Sequence, residues 1–138
     1  MPAPQPARPA DAPTPPGRLV GTVVASALLG GLVAALGTVV HRQWAPWMLV
    51  AALVATLSAG LWMRSWRGVP AVCGFVVGWG VVSQVLAAGG PGGNVLVAAQ
   101  PVGYVWIYGG VVAALAPLVL PARWFVPRAA APRVGGNA

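Results

Sequence analysis

The chain has 138 residues, of which 58% are apolar and only 7% are charged, whereas soluble domains carry about 25% charged residues. Lysine is absent, Asp11 is the single acid, and eight arginines bring the net charge to +7. These arginines lie between long apolar runs and form no solvated basic face, so the composition favours a membrane protein that meets anionic lipid and excludes a typical nucleic-acid-binding domain. Cys73 and His41 are the only residues of their types, which excludes an internal disulfide and leaves too few ligands for a metal site.

The chain begins with a proline-rich segment. Residues 1–17 contain seven prolines and almost no bulky apolar side chain, so we expect a disordered tail. Residues 19–40 then form an uncharged run of 22 residues, which as a helix would be about 33 Å long. That length crosses a hydrocarbon core of about 30 Å, and the run predicts the first transmembrane helix.

Three further apolar runs predict spans at about 45–63, 69–89 and 101–121. Each has a proline near its start, where the missing N–H has no helical partner to lose: Pro46, Pro70 and Pro101. Continuous runs of this length favour helices over the short alternating strands of a membrane barrel. The predicted fold is therefore an all-α, four-transmembrane-helix bundle over residues 18–122, followed by a disordered tail at 123–138 that contains proline and arginine.

The glycine-rich stretch "GGPGGN" at residues 89–94 resembles a phosphate-binding loop only superficially. A P-loop needs a lysine and a serine or threonine after its glycines, and none lies between Gly89 and Tyr104. The stretch is instead predicted to be the turn that connects the third and fourth spans. Neither a nucleotide nor any other cofactor is expected.

The arginines predict the orientation of the four spans. In a four-span arrangement, the tails and the loop between the second and third spans hold seven arginines, while Arg42 lies alone on the opposite side. Positive residues concentrate on the cytoplasmic side of membrane proteins. We therefore expect a multi-pass protein of the plasma (inner) membrane with both termini in the cytoplasm.

Small residues recur at helical spacing in all four spans. The positions expected to allow close helix packing are Gly30, Gly74, Gly78 and Gly109. Two interpretations follow from this pattern. The small residues pack the helices within one chain, or they form a face for a homo-oligomer or a membrane partner protein.

A polar and aromatic group is predicted near the outer ends of the third and fourth spans. Its members are Ser83, Gln84, Gln100, Tyr104 and Tyr108. The group is interpreted as a structural hydrogen-bond cluster, with a site for a lipid or small amphipathic molecule as the alternative. His41 is expected to be solvated at the outer boundary, and Trp79 to lie in the core.

The stretch "GGNVLVAAQPVGYVWIYGG" at 92–110, together with "RSWRGVP" at 64–70, resembles small four-helix integral membrane proteins of actinobacteria whose function is unassigned. The resemblance implies an uncharacterised inner-membrane protein and no catalytic residue. An enzyme is not expected, because the chain lacks the acids, histidines and cysteines from which catalytic sites are built. The expected role is a structural or accessory subunit of a membrane assembly; the alternative is a small oligomeric carrier or channel for a neutral or lipidic solute.

Overall fold

The computed structural model describes residues 15–88 and 100–121. Within them lie four α-helices, and their bounds are α1 Pro16–Val40, α2 Trp47–Arg67, α3 Val69–Ala87 and α4 Pro101–Val119. The predicted all-α fold is confirmed. All four helices are long and apolar enough to cross a membrane, so the chain is a multi-pass membrane protein.

The helices extend beyond the predicted spans at two points. α1 already begins at Pro16, so the last two residues of the tail predicted at 1–17 are helical. α2 continues through Arg67, and only Gly68 separates it from α3. The remainder of the two predicted tails and most of the glycine-rich connection lie outside the described residues.

Two pairs of parallel helices make up the bundle. α1 packs most extensively on α3, and α2 packs most extensively on α4, so the main contacts join helices that are not consecutive in the chain. The α1–α3 register is set by Gly74 beside Val23 and by Gly78 beside Ala27. We call the end of the bundle that holds Pro16 and Arg67 the Arg67 end, and the opposite end the His41 end.

Glycines allow the backbones of α1 and α3 to approach closely. A Cβ atom at Gly30 would collide with the backbone carbonyl oxygen of Phe75, and one at Gly78 would collide with that of Ala27. Gly74 lies equally close to α1, against Ser26. Three of the four predicted packing positions therefore lie in the α1–α3 contact. Backbone approach of this kind provides van der Waals contact where lipid removes the hydrophobic driving force.

The fourth predicted position lies in the other helix pair. A Cβ atom at Gly109 of α4 would lie 3.2 Å from the side chain of Leu53 in α2. Near the Arg67 end, Gly60 of α2 faces Pro117, with 2.9 Å between the added Cβ and the proline ring. Pro117 lies inside α4 and is buried, so its ring fills the space that Gly60 leaves.

Candidate functional site

A buried aromatic and polar group lies between the helices near the His41 end. Trp106 of α4 is fully buried, and its indole N–H donates a hydrogen bond to Thr38 Oγ1 at 3.2 Å. The Nδ1 atom of His41 lies 2.7 Å from the carbonyl oxygen of Thr38. Because a carbonyl oxygen only accepts, Nδ1 carries a proton in this arrangement. The imidazole stacks on Trp106 with 5.7 Å between ring centroids.

The placement of His41 corrects the sequence prediction. The side chain was expected to be solvated, but its exposed fraction is 0%. His41 follows α1 directly, and its backbone N–H donates a hydrogen bond to the carbonyl oxygen of Gly37. The helical conformation therefore continues through His41. Gly37 itself has no side chain to keep the Trp106 ring away from α1.

α3 contributes two further residues to this group. Trp79 meets Trp106 at a centroid distance of 5.6 Å, and Ser83 lies one helical turn further along α3. Three buried polar atoms have no hydrogen-bond partner among the described residues: His41 Nε2, Trp79 Nε1 and Ser83 Oγ. Buried polar atoms are ordinarily paired with protein or ordered water. These three atoms leave hydrogen-bonding capacity unused inside the described part of the bundle.

The structure does not bring the five residues of the predicted polar group together. Ser83 is buried, whereas Gln84 and Gln100 are exposed. Tyr104 and Tyr108 stack on each other at 6.4 Å, but their exposed fractions are 54% and 68%. Neighbouring helix positions point about 100° apart, and on α3 this rotation places Ser83 inside the bundle and Gln84 on its surface.

The composition of the buried group could not be read from the spacing of polar residues alone. Thr38, His41, Trp79 and Trp106 come from three helices and their ends, and only Ser83 belongs to the predicted set. The available signal was the presence of glycine at Gly37 and Gly110, each of which makes room for a tryptophan ring.

A groove lies at the opposite end, between α1, α2 and α3. It has a volume of about 430 Å³. Arg18 and Arg67 line it nearest to the helix ends, and Ala25, Leu29 and Met63 line its apolar floor.

The α2 wall of this groove is aromatic. Trp62 and Trp66 stack with 5.7 Å between centroids and an interplanar angle of 2°. The Arg67 guanidinium lies 4.7 Å from the centroid of the Trp66 ring, a cation–π geometry. The groove thus combines cationic and apolar surfaces.

Comparison with known proteins places the chain in a family. Residues 5–135 match DUF6113, described as a family of unknown function. The chain belongs to DUF6113. No curated protein and no solved structure gives a significant match. Membership of DUF6113 agrees with the expected unassigned family and gives no residue a role.

Proposed function

We propose that this DUF6113 protein acts as a structural or accessory subunit of a membrane assembly, without enzymatic activity of its own. The proposal rests on the outward direction of Gln84, Tyr104 and Tyr108 on helices whose inner faces are already occupied. The Gln84 side chain makes no hydrogen bond to any residue in 15–88 or 100–121; its backbone carbonyl accepts one from the Ala88 N–H.

Polar side chains on the outer face of a membrane bundle favour a protein partner. An amide in hydrocarbon is stabilised by hydrogen bonds across helices, which lipid chains cannot provide. Tyrosine is also enriched at protein interfaces, because its ring packs while its hydroxyl bonds. Since the glycines of α1 and α3 pack within the chain, the partner would meet the outer face of α4 and the neighbouring end of α3.

The proposed location is the plasma (inner) membrane of an actinobacterium, with both termini in the cytoplasm. Support comes from the arginine distribution and from the resemblance to actinobacterial membrane proteins. Among the described residues, Arg18, Arg64 and Arg67 lie at the Arg67 end and Arg42 lies at the His41 end. A cytoplasmic Arg67 end fits the preference of cations for that side.

Site-specific photo-crosslinking in native membranes tests the accessory role. A photoreactive phenylalanine derivative is placed at Tyr108, and a matched probe is placed at Leu32, which is exposed on α1. We expect one membrane protein to be crosslinked from position 108 and not from position 32. If both positions yield only lipid adducts or the same set of abundant proteins, the proposal is wrong.

A small carrier or channel for a neutral or lipidic solute is the second candidate. It is favoured by the unpartnered polar atoms of His41, Trp79 and Ser83 between the helices. Purified protein in liposomes would then show solute flux, and Ser83→Ala would change its rate. Flux that depends on Ser83, together with no crosslinked partner, would replace the accessory role with transport.

A further inference from the structure

We propose that the groove between α1, α2 and α3 binds a phospholipid of net negative charge, with the phosphate on Arg18 and Arg67 and an acyl chain along the apolar floor. This site is independent of the accessory role, since it lies at the opposite end of the bundle from Tyr104 and Gln84. Failure of either proposal leaves the other intact.

The charge at this end of the groove calls for an anion. Arg18 and Arg67 line the same groove from two different helices. Residues 15–88 and 100–121 contain no Asp or Glu, so neither guanidinium has a carboxylate partner there. A phosphate group accepts paired hydrogen bonds from guanidinium with matching geometry. α1 and α3 both begin at this end, and the partial positive charge of their first turns adds to that of the arginines.

The aromatic wall fixes the depth at which the anion would bind. Arg67 lies over Trp66, and Trp66 stacks on Trp62, so the guanidinium is held beside two exposed indole rings. Tryptophan concentrates at the headgroup level of a bilayer. The phosphate of a membrane lipid lies at that same level, and basic pockets between transmembrane helices are known to bind anionic headgroups.

The floor of the groove distinguishes a lipid from a free phosphate ion. Below the arginines, Ala25, Leu29 and Met63 present apolar surface, which an inorganic ion would leave uncovered. The volume of about 430 Å³ lies in the range typical of sites for small organic ligands. An acyl chain would fill this part of the groove while its headgroup stays with the guanidinium groups.

Lipid titration of the full-length protein in neutral detergent tests the class of ligand. The thermal unfolding temperature is measured with added phosphatidylglycerol, phosphatidylcholine or inorganic phosphate, because a ligand that binds the folded state raises it. We expect a rise with phosphatidylglycerol that exceeds the rise with either alternative. An equal rise with phosphatidylcholine would remove the role of charge, and an equal rise with inorganic phosphate would make this an ion site; either result overturns the proposal.

Substitutions then locate the site, with lipid binding followed by native mass spectrometry. Arg18→Gln and Arg67→Gln should each weaken phosphatidylglycerol binding about tenfold, the loss expected for one charge-assisted hydrogen bond. Arg42→Gln removes the same charge at the His41 end and should leave binding unchanged. Equal weakening by Arg42→Gln would mean general attraction to a cationic surface and would overturn the proposal.

A fourth variant tests the floor while the arginines remain. Ala25→Phe places a ring inside the groove at an exposed position, so the helix contacts of α1 are retained. We expect bound phosphatidylglycerol to decrease at least tenfold, with the helical circular dichroism spectrum unchanged. Full binding by this variant would show that the lipid sits elsewhere.

Discussion

Gly78 allows the close contact between α1 and α3 because it has no side chain. Its α-carbon faces the backbone of Ala27, and a Cβ atom there would collide with the Ala27 carbonyl oxygen. A carbonyl on a neighbouring helix cannot turn away as a flexible side chain can, so α1 and α3 would have to separate. We expect Gly78→Ala to lower the free energy of unfolding by about 1–3 kcal/mol, the usual cost of overpacking.

Gly80 provides the matched control on the same helix. Nothing lies within 4 Å of a Cβ atom at Gly80. Alanine there should be neutral or slightly stabilising, because it favours the helix over the unfolded chain. Thermal unfolding of both variants in the same detergent is the measurement. A loss of stability at Gly80 equal to that at Gly78 would show that the effect does not come from the α1–α3 contact.

The Thr38 side chain forms a hydrogen bond between α1 and α4. Its hydroxyl accepts from the buried Trp106 indole at 3.2 Å. Thr38→Val keeps the shape but leaves that N–H unpaired, which costs about 1–3 kcal/mol. Near-ultraviolet circular dichroism should also change as Trp106 loses its fixed position. Thr22→Val is the control, since the Thr22 hydroxyl is exposed and bonds only to the Arg18 carbonyl of its own helix.

Single residues were the hardest feature to predict from the sequence. The glycines at 74 and 78 have the spacing of a packing face, but spacing alone left open whether that face meets α1 or another chain. His41 follows an apolar run and precedes Arg42, a pattern typical of a solvated boundary, yet its side chain turns inward onto Trp106. The rotation of each helix about its axis decides such cases, and small residues on several faces leave that rotation unspecified.

A single residue, Gly68, connects α2 to α3. Gly68 has φ +71° and ψ −155°, a backbone conformation that residues with a side chain rarely adopt. A Cβ atom there would meet only the Pro70 ring at 4.0 Å, so the cost of Gly68→Ala is backbone strain and not collision. We expect a loss of about 1–3 kcal/mol in the free energy of unfolding.

Gly21→Ala is the appropriate comparison for Gly68→Ala. Gly21 is a helical residue with nothing within 4 Å of an added Cβ, so alanine should not destabilise α1. Chemical or thermal unfolding of the two variants in one detergent gives the difference directly. A stable Gly68→Ala protein would contradict the view that this connection needs a positive φ.

Whole elements were easier to predict than their ends. Uncharged runs longer than a bilayer is thick leave few alternatives to a membrane helix. The observed helix ends differ from the ends of the predicted spans because a charged residue marks the membrane surface and not the end of a helix. Arginine is a good helix former and its long side chain reaches toward the headgroups, so α2 continues through Arg64 and Arg67 without a break.

At the scale of the whole molecule, the two ends of the bundle differ in chemistry. The Arg67 end has an open groove with arginine and paired indoles, whereas the His41 end encloses a histidine and two tryptophans. The connections place α1 and α3 in one direction and α2 and α4 in the other. This arrangement puts both described chain ends, near Pro16 and Val119, on the side of the Arg67 end.

The orientation of these two ends in the membrane can be measured with single cysteines. Cys73→Ala removes the native thiol, after which Gly17→Cys and Gln43→Cys place exposed thiols at the Arg67 and His41 ends respectively. If arginine asymmetry orients the bundle, a membrane-impermeant maleimide should label position 43 in intact cells and position 17 only after permeabilisation. The reverse labelling would place the Arg67 end outside. The groove would then face the outer leaflet, and its anionic lipid would have to be drawn from that leaflet instead of from the cytoplasmic one.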